Sequence, residues 1–419
     1  MRTLYTLLWY FALPLLPLRL WWRGRRERGY RAHIGERFGR YAADVPRPRG
    51  EVVWIHAVSL GETRAAEPLV RRIAQARPHA TILLTSMTAT GREAGRALDG
   101  GQVIQAWLPY DVPFAVHAFL DRFAPRAGVL METELWPNLV HACRARGVPI
   151  RLVNARMSAK SAAGYRKLTV LTRPMLQALA GIAAQTPSDA QRLEALGARD
   201  VTVTGSLKFD MAVPDAMVER GAALRRRFGR GRPVWLAAST RDGEEALLLD
   251  AMAQGTLPAD ALLLLVPRHP QRFDAVFALV EARGLACVRR SSELPVEPTT
   301  RVVLGDSLGE MLAYCAAADV AFVGGSLLPL GGQNLLEPIA VGVPTLVGPH
   351  TFNFAETTER AIEAGAARRV ADAEALIREV DALLRRPQER AVMREAAMAF
   401  MAAHRGAADR LWDWLEPRL

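Results

Sequence analysis

Residues 52–64 read VVWIHAVSLGETR, an apolar run that ends in a turn of small residues and continues into a helical pattern. In an open α/β sheet, a side chain just beyond the carboxyl end of a strand projects into the crevice where such sheets bind ligands. Glu62 occupies that position, so the segment predicts a strand, a helix and a candidate general base between them. Taken alone, the pattern also fits an acidic residue in the first turn of any helix, which the helix dipole favours.

Short apolar runs alternate with amphipathic segments from residue 51 onward, and this order predicts parallel sheets with helices on both faces. At 419 residues the chain is too long for one ordinary core. We therefore expect two α/β halves that face each other across a cleft, the usual place for a ligand. The strand runs are VVWIHAV, ATILLTS, VIQAWLP, AGVLME, PIRLVNA, IAAQT and VTVTGS in the first half, and PVWLAAS, ALLLLVPRH, ACVRR, RVVLGD, VAFVGGS and PTLVG in the second.

The strand signals stop near residues 208–227, where charged residues and Pro214 appear, so the boundary between the halves is expected there. The final residues, 385–419, have a helical pattern. The predicted organisation is an N-terminal anchor with its basic flank at 1–30, a first domain at 31–210, a linker at 211–228 and a second domain with C-terminal helices at 229–419.

The N-terminal residues 4–22, LYTLLWYFALPLLPLRLWW, are nearly all apolar and are followed by a basic flank. A span needs about 20 apolar residues, which this segment barely supplies, and Pro14, Pro17 and Arg19 weaken its far end. The downstream charges and the lack of a small-residue cleavage site indicate a retained anchor with the globular part cytoplasmic. Spanning, lying in the interface and forming a buried first helix all remain open. The flank contains Arg23, Arg25, Arg26, Arg28 and Arg31.

The net charge of +11 indicates an acidic partner such as nucleic acid, anionic lipid or a phosphorylated substrate. Nucleic acid is disfavoured, because aromatic residues do not interleave with the basic ones and no recognition module is present. No Asp-x-Asp pair and no zinc-ligand spacing occurs, which favours metal-free chemistry. The three cysteines are far apart, so a disulfide framework is not indicated. Lysine is rare, occurring only at positions 160, 167 and 208.

Residues 324–354, GGSLLPLGGQNLLEPIAVGVPTLVGPHTFNF, form the densest motif of the second half. Glycines allow the backbone to approach a ligand, and a helix starting near Asn334 would direct free amides at a phosphate. Glu337 is then placed to accept hydrogen bonds from ribose hydroxyls. Arg268 follows another strand and suits a phosphate, since its guanidinium forks onto two oxygens. A glycine-rich surface turn with a capping Asn is the alternative.

In the first half, residues 131–138, METELWPN, place Glu132 at a strand end and Glu134 two residues later. Carboxylates near Glu62 would suit a reaction with a cationic transition state, because a fixed anion stabilises developing positive charge. An acidic turn before a helix would produce the same local pattern.

Five motifs, taken in order, resemble those of the lipid A Kdo (3-deoxy-D-manno-octulosonic acid) transferases. The resemblance runs from the N-terminal segment to about residue 355. The motifs are HxxSxGE (residues 56–62), METELWPN, GSLKFD (205–210), PRHPxRF (267–273), and GGxNxLEP with GPHxxNF (331–354).

This resemblance implies a metal-independent, inverting GT-B glycosyltransferase with two Rossmann-like domains and no cofactor. It would move Kdo from CMP-Kdo to the tetraacylated lipid A precursor at the cytoplasmic face of the bacterial inner membrane. Glu62 matches the family's general base, and Glu132 and Lys208 match its transition-state stabilisers. The matching CMP-binding residues are Pro267, Arg268, Gly309, Glu310, Met311, Asn334, Leu335, Leu336 and Glu337.

The chain departs from the family where histidine often stands at Arg241, and histidine then proline at Gln333 and Leu335. These changes affect the expected contacts around the donor phosphate and leave the catalytic residues intact. Glu62 is expected to stay ionised with an ordinary pKa and to take its proton late in the reaction. Two other functions remain open: a different nucleotide-sugar enzyme of this architecture, such as an epimerase or a uridine-donor transferase, and a non-catalytic lipid-binding membrane protein.

Overall fold

The computed structural model describes residues 1–43, 45–98 and 100–419, without the side chain of Arg26. The chain divides into two compact units, Met1–Asp210 with Gly406–Leu419, and Met211–Arg405. The strand pairings given below are parallel in both units, as the strand–helix alternation predicts.

The sheet of the first unit has the order β3-β2-β1-β4-β5-β6-β7. From β1 the chain builds the sheet toward one edge as far as β3, and from β4 it builds toward the other edge as far as β7. The gap between β1 and β4 is therefore a topological switch point, where open α/β sheets bind ligands. The strands are β1 (Val52–His56), β2 (Thr81–Ser86), β3 (Val103–Trp107), β4 (Ala127–Met131), β5 (Ile150–Ala155), β6 (Gly181–Ala184) and β7 (Val201–Val203).

Both faces of this sheet are covered, so every residue of β1 is buried. Trp54 faces one apolar cluster, whereas Val53 and Ile55 face another on the opposite side. The helices up to this point are α1 (Arg2–Ala12), α2 (Leu15–Arg26), α3 (Leu60–Ala76), α4 (Ala89–Arg96), α5 (Pro113–Phe123), α6 (Pro137–Ala145), α7 (Ala159–Lys167), α8 (Thr169–Gln177) and α9 (Pro187–Ala195).

The N-terminal helices α1 and α2 pack with one side against the rest of the first unit. Trp9 contacts the rings of Tyr110 and Trp136, and Leu16 and Leu20 are buried in the same small cluster. Among the described residues, no single helix has both the length and the apolarity that a membrane span requires. The two helices meet that requirement only together, with a bend of 58° between them.

The sheet of the second unit has the order β10-β11-β9-β8-β12-β13-β14, and its switch point lies between β8 and β12. Its elements are α10 (Asp215–Phe228), β8 (Val234–Thr240), α11 (Glu244–Gln254), β9 (Leu262–Pro267), α12 (Phe273–Glu281), β10 (Cys287–Arg289), β11 (Val302–Leu304), α13 (Met311–Ala317), β12 (Val320–Val323), α14 (Leu336–Ala340), β13 (Thr345–Val347), α15 (Ala355–Glu363), β14 (Ala367–Arg369), α16 (Ala373–Arg385) and α17 (Pro387–His404).

The structure corrects the predicted boundaries in two places. Residues 211–228 are not a linker, because α10 buries Leu224 and Phe228 in the core of the second unit. The last helix, α18 (Ala407–Leu415), belongs to the first unit and not to the second, because Leu411 and Leu415 pack in the core that covers β1 and α3.

Candidate active site

Glu62 lies in the first turn of α3, just beyond β1, where the sequence predicts it. Its Oε2 accepts a hydrogen bond from the Val58 amide at 2.8 Å, and its Oε1 accepts one from the Ser59 hydroxyl at 2.9 Å. The Ser59 hydroxyl also caps the helix by accepting the Glu62 amide, so the two residues together terminate the first turn. The helix-start interpretation and the candidate-base interpretation therefore apply to the same residue.

Burial sets the protonation of Glu62. Glu62 is only 9% exposed, and this desolvation raises its pKa to about 7. The hydrogen bonds from Val58 and Ser59 lower the pKa, but by less than burial raises it. The negative charges of Glu132 and Glu134 raise the pKa further. The expectation of an ordinary pKa is therefore wrong, because the sequence does not reveal how completely this carboxylate is desolvated.

Glu132 directly follows β4, the strand beside β1 at the switch point. Its φ of 57° is unusual for a residue other than glycine, and such strained backbone is concentrated at functional sites. Its Oε1 lies 3.1 Å from Nζ of Lys208, and the two side chains are 21% and 33% exposed. Glu62, Glu132 and Lys208, which the resemblance groups together, thus all lie at the carboxyl edge of one sheet.

Lys208 is held there by its short 3₁₀ turn, Leu207–Asp210. The Leu207 amide donates to Oδ1 of Asn154 at 3.1 Å, which ties the turn to β5. The Asp210 carboxylate accepts the amide of Gly406 at 2.7 Å, which ties it to the segment leading into α18. The GSLKFD motif therefore positions a lysine through contacts on both sides.

His56 and Asn138, two other motif residues, are structural in this unit. His56 is fully buried, which lowers its pKa to about 3, and its Nδ1 lies 2.9 Å from the Thr85 hydroxyl. Asn138 donates two hydrogen bonds to Asp111, one from its backbone amide to the carboxylate and one from its side-chain NH₂ to the backbone carbonyl. Neither residue is arranged to act as a base.

In the second unit, Pro267 ends β9 and Arg268 follows it at the surface. Nε of Arg268 donates to Oε1 of Gln333 at 3.2 Å. This contact joins the loop after β9 to the loop after β12, where Asn334 lies. The structure thus brings together two of the three segments expected to bind CMP.

Gly309, Glu310 and Met311 form the third segment, between β11 and α13. Gly309 is exposed with a φ of 79°, and Met311 begins α13. Glu310 is buried and ion-paired, its Oε1 lying 2.9 Å from Arg220 and 3.2 Å from Arg290. Its carboxylate is already engaged, an arrangement that the motif did not indicate.

The segment from Asn334 to Glu337 enters α14, which begins at Leu336 and is only five residues long. Oδ1 of Asn334 accepts the Leu336 amide at 3.2 Å, as a capping residue does. Leu335 and Leu336 are each 1% exposed as whole residues, so both pack inside the second unit beneath this loop. Glu337 is half-buried in the first turn.

Glu244 is a residue whose role sequence reasoning missed. It is fully buried, and its carboxylate accepts the amides of Arg241 at 2.9 Å, Gly325 at 2.6 Å and Leu327 at 3.0 Å. It therefore ties together the two loops that flank the second switch point. In the sequence, the sign of this role is that Glu244 lies in the first turn of a helix that directly follows a strand.

No cluster of three or more histidine, cysteine, aspartate or glutamate side chains suited to a metal ion occurs among residues 1–43, 45–98 and 100–419. Metal-independent chemistry stays a prediction.

Comparison with known proteins extends over the whole chain. Residues 32–211 match a family model described as 3-deoxy-D-manno-octulosonic-acid transferase (kdotransferase). The 3-deoxy-D-manno-octulosonic acid transferase of Bordetella pertussis is 49% identical, over 99% of this chain and 99% of its own. That of Haemophilus influenzae is 39% identical, over 100% and 99%.

Solved structures give the fold. A glycosyltransferase from Rickettsia africae aligns with a TM-score of 0.59 at 14% identity, covering 88% of this chain and 98% of its own. The UDP-GlcNAc 2-epimerase of Neisseria meningitidis bound to UDP-GlcNAc aligns with a TM-score of 0.61 at 12% identity, covering 88% and 100%. The two parallel sheets thus match the GT-B type. With these full-length identities, the chain belongs to the 3-deoxy-D-manno-octulosonic acid transferase family of glycosyltransferases.

Proposed function

We propose that this chain is an inverting, metal-independent enzyme that transfers Kdo from CMP-Kdo to the tetraacylated lipid A precursor, lipid IVA, with Glu62 as general base. The observation that carries the proposal is a buried carboxylate at the switch point of the first sheet whose pKa is about 7. A general base works best when its pKa lies near the working pH, and an ordinary helix cap has no need of such a shift.

The reaction is a single displacement. A hydroxyl oxygen of the acceptor sugar forms a bond to the anomeric carbon of Kdo while the bond from that carbon to the phosphate oxygen breaks. The electron pair of the broken bond leaves with CMP, and Glu62 takes the hydroxyl proton. One attack from the face opposite the phosphate inverts the anomeric configuration.

Positive charge develops on the anomeric carbon in this step. The carboxylate of Glu132 would stabilise it, and Lys208 would hold that carboxylate in place through the 3.1 Å ion pair. Each Glu62 oxygen accepts one hydrogen bond and keeps a second lone pair, so the capping contacts leave the base able to accept a proton.

The second unit would bind the donor through the CMP segments of the family. Arg268, which is exposed just beyond β9, would bind the phosphate, whereas Asn334, Leu335 and Leu336 would form the loop that lies against the nucleotide. The nucleoside would be surrounded by Pro267, Gly309, Met311 and Glu337. Glu310 would contribute to the same site while it stays ion-paired with Arg220 and Arg290.

The test is to incubate the purified chain with CMP-Kdo and lipid IVA and to determine the product mass. We expect a mass increase by a whole number of Kdo residues, and that number also counts the transfers. An unchanged acceptor, in the presence of folded protein that binds CMP, would contradict the proposed acceptor. Substituting UDP-sugars for CMP-Kdo tests the uridine-donor alternative.

We further propose that α1 and α2 attach the enzyme to the cytoplasmic face of the inner membrane by lying in the lipid interface. One side of the pair packs on the first unit through Trp9, Leu16 and Leu20. Its other side is apolar and exposed, and arginines follow it, which suits an anionic lipid surface. The exposed apolar residues are Leu4, Leu7, Leu8, Phe11, Leu15, Leu18, Trp21 and Trp22.

Flotation with vesicles containing anionic phospholipid tests this attachment. We expect the double variant Leu8→Ser, Phe11→Ser to lose most vesicle binding while its thermal unfolding midpoint stays the same, because both side chains are exposed. Val392→Ser, an equally exposed apolar site in the second unit, is the control. Full vesicle binding by the double variant would exclude this surface.

A further inference from the structure

Two arginines lie at the carboxyl edge of the second sheet without an ion-pair partner among the described residues. Arg241 follows β8 and Arg268 follows β9, and within residues 1–43, 45–98 and 100–419 neither forms an ion pair. Their neighbour Arg272 differs, since it is paired with Glu245 at 2.5 Å and Asp242 at 2.9 Å. Because like charges repel, unpaired cations that lie close together indicate an anion site.

Gln333 and Gly325 connect the two arginines. Arg268 donates to Oε1 of Gln333 at 3.2 Å. Gly325 adopts a φ of 69° just beyond β12, and a Cβ atom there would stand 3.1 Å from the Gln333 amide nitrogen and 3.4 Å from Cγ of Arg241. Arg268 therefore contacts Gln333 directly, and the Arg241 side chain passes beside the same glutamine at Gly325, where any larger residue would crowd both side chains.

The neighbouring His269 is affected by this concentration of charge. Partial burial lowers its pKa, and the positive charges of Arg241, Arg268 and Arg272 lower it further. The positive charges of all three guanidinium groups are therefore concentrated around His269.

The backbone of Arg241 is held in place. Its amide and that of Gly325 donate to the same oxygen of Glu244, at 2.9 and 2.6 Å. The Arg268 amide in turn donates to the Thr240 carbonyl at 2.9 Å. Both arginines therefore extend from backbone that is fixed before any ligand binds, which reduces the entropic cost of binding.

We propose that Arg241 is a second donor-binding residue, which acts with Arg268 on the phosphate of the donor nucleotide. This inference rests on the proposed function. As the bond to the sugar breaks, the phosphate gains negative charge, and a guanidinium group stabilises that charge more strongly in the transition state than in the ground state. Arg241 should therefore contribute both to nucleotide affinity and to turnover.

Titration calorimetry with the full chain tests this role, with CMP and with cytidine, which lacks the phosphate. We expect Arg241→Ala to weaken CMP binding roughly 10- to 100-fold, the range for a lost charge-assisted hydrogen bond, and to leave cytidine binding unchanged. Arg241→Lys should recover part of the loss, because it restores charge without the fork. Arg378→Ala, an exposed arginine on α16, is the matched control and should bind CMP as the wild type does.

Each other outcome is decisive. Equal CMP affinity and equal kcat/KM in Arg241→Ala and wild type would overturn the inference and leave the proposed function intact. An equal loss of CMP and cytidine affinity would also overturn it, because the residue would then hold the nucleoside or the loop. A wild-type chain that fails to bind CMP would contradict the proposed function itself, and this inference with it.

Discussion

Nζ of Lys208 lies 3.1 Å from Oε1 of Glu132, and Glu132 in turn raises the pKa of Glu62. The three residues come from segments far apart in the chain, after β4, in the turn after β7 and after β1. The ion pair and the base are therefore coupled electrostatically, so a change in either partner of the pair should be measurable at Glu62.

Replacing Glu62 by glutamine should abolish most turnover without disturbing the fold. The glutamine oxygen can accept the Val58 amide, and its NH₂ group can donate to the Ser59 hydroxyl, so both capping contacts survive. We expect kcat to fall by roughly 10² to 10⁴, with CMP affinity little changed. Glu67→Gln, on the same helix and paired with Arg71 at the surface, is the control. Near-normal kcat in Glu62→Gln would rule out this base.

The pH profile of kcat/KM should show a single acidic limb. Glu62 accepts a proton only when ionised, so the rate should rise about tenfold per pH unit below about pH 7 and level off above it. Glu132→Gln removes a charge that raises the pKa of Glu62, so the limb should move to lower pH. Lys208→Gln leaves Glu132 uncompensated and should move the limb to higher pH. A limb that stays in place in both variants would contradict the coupling.

Glu62 should also make stability depend on pH. Its pKa is raised from 4.5 to about 7 in the folded chain. Below pH 4.5 the residue is neutral in both states; between 4.5 and 7 only the unfolded chain ionises, so stability falls as the pH rises through 7. Wild type should therefore lose on the order of 2 kcal/mol relative to Glu62→Gln between pH 5 and 8. Urea unfolding at both pH values measures this. A difference between the two proteins that does not change with pH would refute the burial effect.

Truncation after Arg405 should destabilise the first unit. The deletion removes Leu411, Trp414 and Leu415 from the core that covers β1, and each buried side chain is worth roughly 1.5–3 kcal/mol. Hydrogen exchange should accelerate in β1 and α3. Asp210→Ala, which loses the contact to Gly406, should give a milder effect of about 1 kcal/mol. Faster exchange confined to β8 and β9 would instead assign the C-terminal helix to the second unit.

Much of the fold could be predicted, because strand and helix periodicity is a local property. The run ending at His56 and the turn to Glu62 are adjacent in the chain, so their order alone places the carboxylate at a strand end. The capping pattern of Ser59 and Glu62 is local too. The motifs likewise grouped Glu132 and Lys208 with Glu62, through family resemblance.

The sequence by itself determined the two parallel α/β sheets and the position of Glu62 at a strand end, since both depend on neighbouring residues. Only the tertiary structure decided the pKa of Glu62, the ion pairs of Glu310, and the return of α18 to the first unit. The apolar stripe of α18 requires burial but does not specify which core provides it. Desolvation and charge pairing depend on side chains distant in sequence, and only folding brings them together.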